Sequence, residues 1–299
     1  METYAFSNAT NRPMNRLILY TQFIFAVLAT LMLGAQLLAA ETSSDNRIKV
    51  PLGDPSRPAH VRAHLLSGSI TVKGADIKEV IVEGQARTHQ EEREDEEKPE
   101  GHLRRIPMTA TGLSVEADSD NNDVRISTDS MRRPVDLTIT VPLHTSLSLN
   151  TVNNGNIVVS GVEGELDVND VNGSVTLTNI SGSAVAHALN GKLLVTFNRV
   201  NPDKAMSFSS MNGTIDVTFP PDLKANLSMR TENGEVFSDF DIQLQATQPQ
   251  PTVEDNRGKG GKYVVRLDKT VHGAINGGGP EYQFKNFNGN IYIRKAGSK

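Results

Sequence analysis

Five glycines, Gly155, Gly164, Gly173, Gly182 and Gly191, follow one another at intervals of nine residues. Counting forward from each, the second position holds Ile157, Leu166, Val175, Ala184 and Leu193, and the fourth holds Val159, Val168, Leu177, Ala186 and Val195. The seventh holds Val162, Val171, Ile180 and Leu189, before Asn198 breaks the series. Columns kept in register over this length define an internal repeat, and a repeat governs every other reading of the chain. Positions two apart share one face of a strand. The seventh position is out of phase with them and predicts a corner at which the chain turns and points inward again. Glycine after that corner tolerates positive φ, and asparagine before it tolerates the left-handed region.

The glycines alternate in type. Asn-Gly stands at 154–155, 172–173 and 190–191, while Glu163-Gly164 and Ser181-Gly182 fall between. Two nine-residue units therefore make one rung of 18 residues, with each Asn-Gly stacked on the next. One unit buries too little apolar surface to hold itself together, whereas a stack shares its core and its ladder hydrogen bonds. The predicted fold is all-β, a single-domain β-solenoid (β-helix) with about 18–22 residues per coil. An antiparallel meander or sandwich is the alternative, because Asn-Gly between alternating apolar runs is also a hairpin signal.

Drifted copies extend the pattern. Val61, Ala63 and Leu66 precede Gly68, with Ile70 and Val72 after it. Met206, Phe208 and Met211 precede Gly213, with Ile215 and Val217 beyond, and Leu227 and Met229 precede Gly234. Tyr282, Phe284 and Phe287 lead to Gly289, Ile291 and Ile293. The solenoid is expected from about Ile48 to Ile293, its regular coils opening at Leu147 and Leu149. The three aromatics are expected to close the last rungs. Charged Arg294, Lys295 and Lys299 beyond them would discourage edge-to-edge growth. The domain spans 41–299, with loop insertions near 85–110, which carries an acidic run at 91–100, and near 243–262.

Residues 1–40 read as a signal peptide or signal-anchor helix. Arg12 and Arg16 precede an apolar run from Leu17 to Ala40, which ends in a small pair before Glu41. Cleavage near Ala40 and retention as a single-pass anchor are both open. Either predicts export to the periplasm or cell surface, with membrane contact only through this segment if it is uncleaved. Five per cent aromatic residues and no tryptophan or cysteine suit a thin aliphatic stack and exclude disulfides and thiolate metal sites. A net charge of -5 offers no basic field for nucleic acid.

Catalytic constellations are absent from the sequence pattern: no catalytic, cofactor-binding or metal-ligating residue is assigned, and the site residues are the structural repeat glycines Gly155, Gly164, Gly173, Gly182, Gly191, Gly213, Gly234 and Gly289. Position three after each glycine lacks the acidic column of a calcium β-roll. Asp167, Asn169, Asp170 and Asn172 approach a calcium loop, but Val171 occupies a ligand position, so they read as solvated corner residues. His60 and His64 share an outward face, as does His187. Gly277-Gly278-Gly279 precedes Pro280 and a strand, hence a turn and no phosphate loop.

The recurring Asn-Gly-x-aliphatic motif at Asn154-Gly155-Asn156-Ile157, Asn172-Gly173-Ser174-Val175, Asn190-Gly191-Lys192-Leu193, Asn212-Gly213-Thr214-Ile215 and Asn233-Gly234-Glu235-Val236 resembles the bacterial putative-adhesin domain family. The resemblance covers roughly residues 60–293 and implies an exported β-helical fold; that family carries no agreed activity, so no residue role follows. The expected function is a non-enzymatic cell-envelope interaction or structural module, with a glycan or an envelope protein as partner and no cofactor. A carbohydrate-active β-helix enzyme with its site in the inserted loops is the alternative, and a membrane-anchored sensor is a third reading.

Overall fold

Two-residue alternation of aliphatic and polar side chains produces strands such as Ala59–Ser67, Val135–Pro142 and Thr145–Asn153, each buried on one face only. The computed structural model describes residues 47–87, 112–118, 121–128, 134–153, 155–245, 251–255, 263–267 and 269–297, with 251–255 and 263–267 described by their backbone alone. The chain divides into two units, Met1–Asp45 and Asn46–Lys299, and every described residue belongs to the second. The expected signal segment 1–40 and most of the acidic insertion near 85–110 lie outside the described residues.

The strands are β1 (Arg47–Pro51), β2 (Ala59–Ser67), β3 (Ile70–Ala75), β4 (Glu79–Ala86), β5 (Leu113–Asp118), β6 (Asp123–Thr128) and β7 (Val135–Pro142). β8 (Thr145–Asn153), β9 (Ile157–Ser160), β10 (Glu163–Asp170), β11 (Val175–Ala188), β12 (Leu193–Val200), β13 (Met206–Asn212) and β14 (Ile215–Phe219) follow. Then come β15 (Ala225–Asn233), β16 (Val236–Ser238), β17 (Ile242–Leu244), β18 (Pro251–Asp255), β19 (Tyr263–Leu267), β20 (Val271–Ile275), β21 (Glu281–Asn288) and β22 (Ile291–Lys295). Among the described residues there is no helix.

Two faces wind into a β-solenoid. One runs β5–β6–β2–β8–β10–β11–β13–β21–β15–β20–β17, parallel from β6 to β15. The other runs β1–β4–β7–β3–β9–β11–β12–β14–β22–β16, parallel from β7 onward. The long strand β11 rounds a corner and serves both. Parallel stacking rules out the meander, since Asn172-Gly173 and Asn190-Gly191 lie one above the other and not at the tips of hairpins. Residue 157 pairs with 175 and 175 with 193, an 18-residue coil; 193 pairs with 215, a 22-residue one.

Chain order and spatial order part at both ends. The coil β2–β3 lies between β6–β7 and β8–β9, and the coil β21–β22 lies between β13–β14 and β15–β16. Regular coils therefore begin before Leu147. The last coil in sequence, with Tyr282 and Phe284, is interior; its closing residues Arg294 and Lys295 pair with Thr218 and Phe219 of β14, while β16 on the other side reaches only to Ile293. Antiparallel strands β4, β5 and β20 cover the outer edges of β7, β6 and β15 instead, which blunts further growth there. The excursion expected as a loop near 243–262 holds β18, which pairs antiparallel with β19 as a separate ribbon.

The interior is one continuous apolar cluster. Small side chains on β11 face large ones: Ala186 pairs in register with Phe208. Phe208 stacks on Phe284 at 5.2 Å, Phe197 on Phe219 at 5.2 Å, and Phe219 meets Tyr282 at 5.5 Å. Such alternation of volumes keeps density even along the stack.

The two corners differ. Val162 and Ile180 point inward as expected, each preceded by a residue in the left-handed region, Gly161 (φ 65) and Asn179 (φ 54). At the Asn-Gly corner the two-residue alternation runs one step further, so Asp170, Ala188, Ser210 and Asn286 take the inward place. Val171 and Leu189 are left half-buried, and Met211 and Phe287 stand exposed, contrary to expectation. The same shift puts Leu65 inside in place of Leu66.

Candidate functional site

Six of the eight repeat glycines, Gly155, Gly173, Gly191, Gly213, Gly289 and Gly234, form one column along the Asn-Gly corner; Gly164 and Gly182 line the opposite corner. Their requirement is close approach, not backbone freedom: of the eight, only Gly182 and Gly289 have φ in the left-handed region. A Cβ on Gly173 would sit 1.7 Å from the Gly155 carbonyl oxygen, on Gly213 2.0 Å from that of Gly191, and on Gly234 2.1 Å from that of Gly289. No side chain fits between coils there.

The asparagines before these glycines also act through packing of polar groups, not through left-handed φ. Asn172 donates from Nδ2 to Asn153 Oδ1 at 2.9 Å, Asn190 to Asn172 at 3.0 Å and Asn212 to Asn190 at 2.8 Å. Asn288 continues to Asn212 at 2.8 Å and Asn233 to Asn288 at 2.9 Å. Each amide uses its donor downward and its acceptor upward, so a continuous ladder needs this residue type. Asn212→Ala removes two rungs of it. The expected cost is about 1 kcal/mol, read as a lower urea midpoint at unchanged slope.

A second polar column lies just inside. Thr151 Oγ1 donates to the Gly68 carbonyl at 2.9 Å, Ser210 Oγ to Gly191 at 3.3 Å, Asn286 Nδ2 to Gly213 at 2.7 Å and Thr231 Oγ1 to Gly289 at 3.1 Å. Register places Asp170 in this column beside Thr151 and Ala188. It is fully buried, and its reading as a solvated corner residue is wrong. Burial raises its pKa to about 7. The N–H groups of Asn172 and Gly173 pull the other way, without reaching full hydrogen-bond geometry on either oxygen.

Two concavities open on the outside. One, of about 470 Å³, lies over Gly164 and Gly182. Its charges are spent on one another: Arg199 meets Glu163, with His144 Nδ1 3.6 Å from the same carboxylate, and Lys204 meets Glu165 at 2.8 Å. The other, of about 380 Å³, is lined by His187, Ser209, Met211, Arg230, Glu232, Lys285 and Phe287. Glu232 is held below the usual carboxylate range by hydrogen bonds from Arg230 and Lys269. His187 meets Ser209 Oγ through Nδ1 at 2.7 Å. Sequence reasoning missed this notch because its lining strands are far apart in the chain. His60 and His64 are exposed as expected, and Asn276 and Gly277 turn with positive φ before the strand at Glu281. Among the described residues no three His, Asp or Glu gather as a metal site.

Stacked parallel coils, a glycine column and an asparagine ladder define a short-coil β-solenoid. Residues 43–276 match the Toastrack DUF4097 family, and the chain belongs to it. Two solved structures are similar to it. One is a putative cell adhesion protein from Clostridium sporogenes, 9% identical, covering 83% of this chain and 98% of that one at a TM-score of 0.40. The second is a putative adhesin from Bacteroides fragilis, 11% identical, covering 83% and 95% at a TM-score of 0.32. No curated protein matches the chain.

Proposed function

We propose that this chain is an exported, non-enzymatic interaction module of the bacterial cell envelope that binds a glycan or an envelope protein through its outward columns. The observation that carries this reading is the repetition of those columns. On the second face the half-buried Thr178, Thr196 and Thr218 stand on successive coils, Thr196 in register with Thr218 and Ser160 with Thr178; the Thr178 hydroxyl donates to the Val159 carbonyl at 3.3 Å and keeps its acceptor lone pairs for a ligand. A rigid frame that repeats a hydroxyl group along its length offers many weak contacts to a ligand that itself repeats, and their summed effect gives avidity without any one strong site. Family membership supports the reading at the level of a surface module. Export rests on the positively flanked apolar run at 17–40.

The test is retention of the purified full-length chain on isolated envelope material. Replacing Thr178, Thr196 and Thr218 together by alanine is expected to reduce retention about tenfold, by analogy with loss of one multivalent face. Equal retention of the triple variant, or turnover of a glycan by the purified chain, would overturn the proposal.

A further inference from the structure

We infer that the notch over Ser209 is a binding site for an acidic sugar residue, whose carboxylate meets Lys285 and whose ring lies against Phe287. The inference rests on the envelope-module reading above and names the ligand class of one site within it. Successive coils place His187, Ser209, Lys285 and Arg230 in one outward column. The short Ser209 side chain between three long ones leaves the hollow, which is at the small end of the range of ligand sites, about 300–1,000 Å³.

Its charge is opposite to that of the chain. Net charge over the whole sequence is -5, yet among the described residues the notch sets Arg230 and Lys285 against one carboxylate, Glu232, which Lys269 also reaches. Arg230 reaches Glu232 at 2.6 Å and Lys269 at 3.1 Å, and Lys285 makes no ion pair among the described residues. The excess is positive, and an anion complements it. One wall is apolar: Met211 and Phe287 stand on neighbouring strands and are 44% and 47% exposed. A group that is anionic at one end and offers a C–H face at the other satisfies both walls. Hydroxyls complete the match, because His187 and Ser209 are fixed against each other and still carry free hydrogen-bonding capacity.

An extended acidic peptide fits less well. Strand β13 is paired on both sides, by β11 and β21, and β21 is paired by β13 and β15. No backbone edge is open at the notch for a peptide to join.

The probes are trigalacturonic acid, its fully methyl-esterified form and hexaglutamate, titrated calorimetrically into the full-length chain at low ionic strength, where exposed charge contacts are least screened. The acid is expected to bind, and Lys285→Gln, Phe287→Ala and esterification of the sugar are each expected to weaken binding about tenfold, the size of effect typical of a central contact. Circular dichroism checks that both variants fold. Binding of the acid unchanged in Lys285→Gln, equal binding of the ester, hexaglutamate binding as tightly, or no binding of the acid would each overturn the inference. The same variants on envelope material separate the two readings. Retention that survives both substitutions leaves the envelope module standing without this site, whereas a wild-type chain that is not retained removes the module itself.

Discussion

Placing a methyl group at Gly191 is expected to destabilise the fold by about 3 kcal/mol, the upper end of the range for overpacking a well-filled interior. Ordinarily the exchange of glycine for alanine stabilises by about 0.4–1 kcal/mol through the unfolded chain. Here the new Cβ would lie 2.0 Å from the Gly173 carbonyl oxygen, 2.5 Å from its carbon and 2.9 Å from the Ser174 nitrogen. All three atoms are backbone and cannot rotate away. The coils are held in place on either side, since Val175 N–H donates to the Lys192 carbonyl and Leu193 N–H to that of Thr214. Relief would require several ladder bonds to lengthen together. For a domain of this size the melting temperature should fall by about 6–12 °C. Three variants give a graded test. Gly173→Ala, at 1.7 Å from the oxygen below, should lose most, Gly191→Ala less, and Gly164→Ala, at 2.4 Å, least. A flat or inverted order in calorimetric melting would show that the column is not set by contact between coils.

That column was legible in the sequence because contact between coils repeats at the spacing of the coil. The nine-residue interval gave half a turn and the Asn-Gly alternation gave a whole one. The reason for glycine was less accessible: positive φ and backbone proximity leave the same letter in a sequence, and only stacked coordinates distinguish them. Coil order was not legible at all. Gly213 and Gly234 are 21 residues apart, a spacing that suits adjacent coils, yet Gly289 lies between them. Every coil exposes equivalent ladder edges, so local pattern cannot choose a neighbour. The insertion is recorded in long-range polar pairs, with Asn286 reaching the Gly213 carbonyl and Thr231 that of Gly289. The notch was hidden for the same reason, since residues 187, 209, 285 and 230 meet only after that insertion.

Asp170 carries the second large effect, and its sign runs against the usual behaviour of a carboxylate. Its neighbours in the inner column, Thr151, Ser210 and Asn286, each donate a hydrogen bond to a glycine carbonyl of the adjacent coil. An ionised carboxylate has no hydrogen to donate, whereas the protonated acid has one. With no full hydrogen bond on either oxygen and no exposed surface, the charged form is disfavoured, and the carboxyl titrates near 7 in the fold against 3.8 in the unfolded chain. A folded-state pKa raised above the unfolded value means that the native state holds the proton longer. Stability from this group is therefore complete below about pH 4, falls as pH rises from there to about 7, and is level beyond. The full span corresponds to on the order of 4 kcal/mol. Asp170→Asn supplies a neutral donor of the same shape, as Asn286 does in the coil three steps along. The variant is expected to be about 2–4 kcal/mol more stable than the wild type at pH 8 and to differ little from it at pH 4. Comparing the two chains by urea unfolding across that interval cancels the titration of every other group. A difference that stays constant with pH, or that grows toward acid, would mean that Asp170 is ionised in the fold and that a cation or a bound water, not a proton, satisfies it.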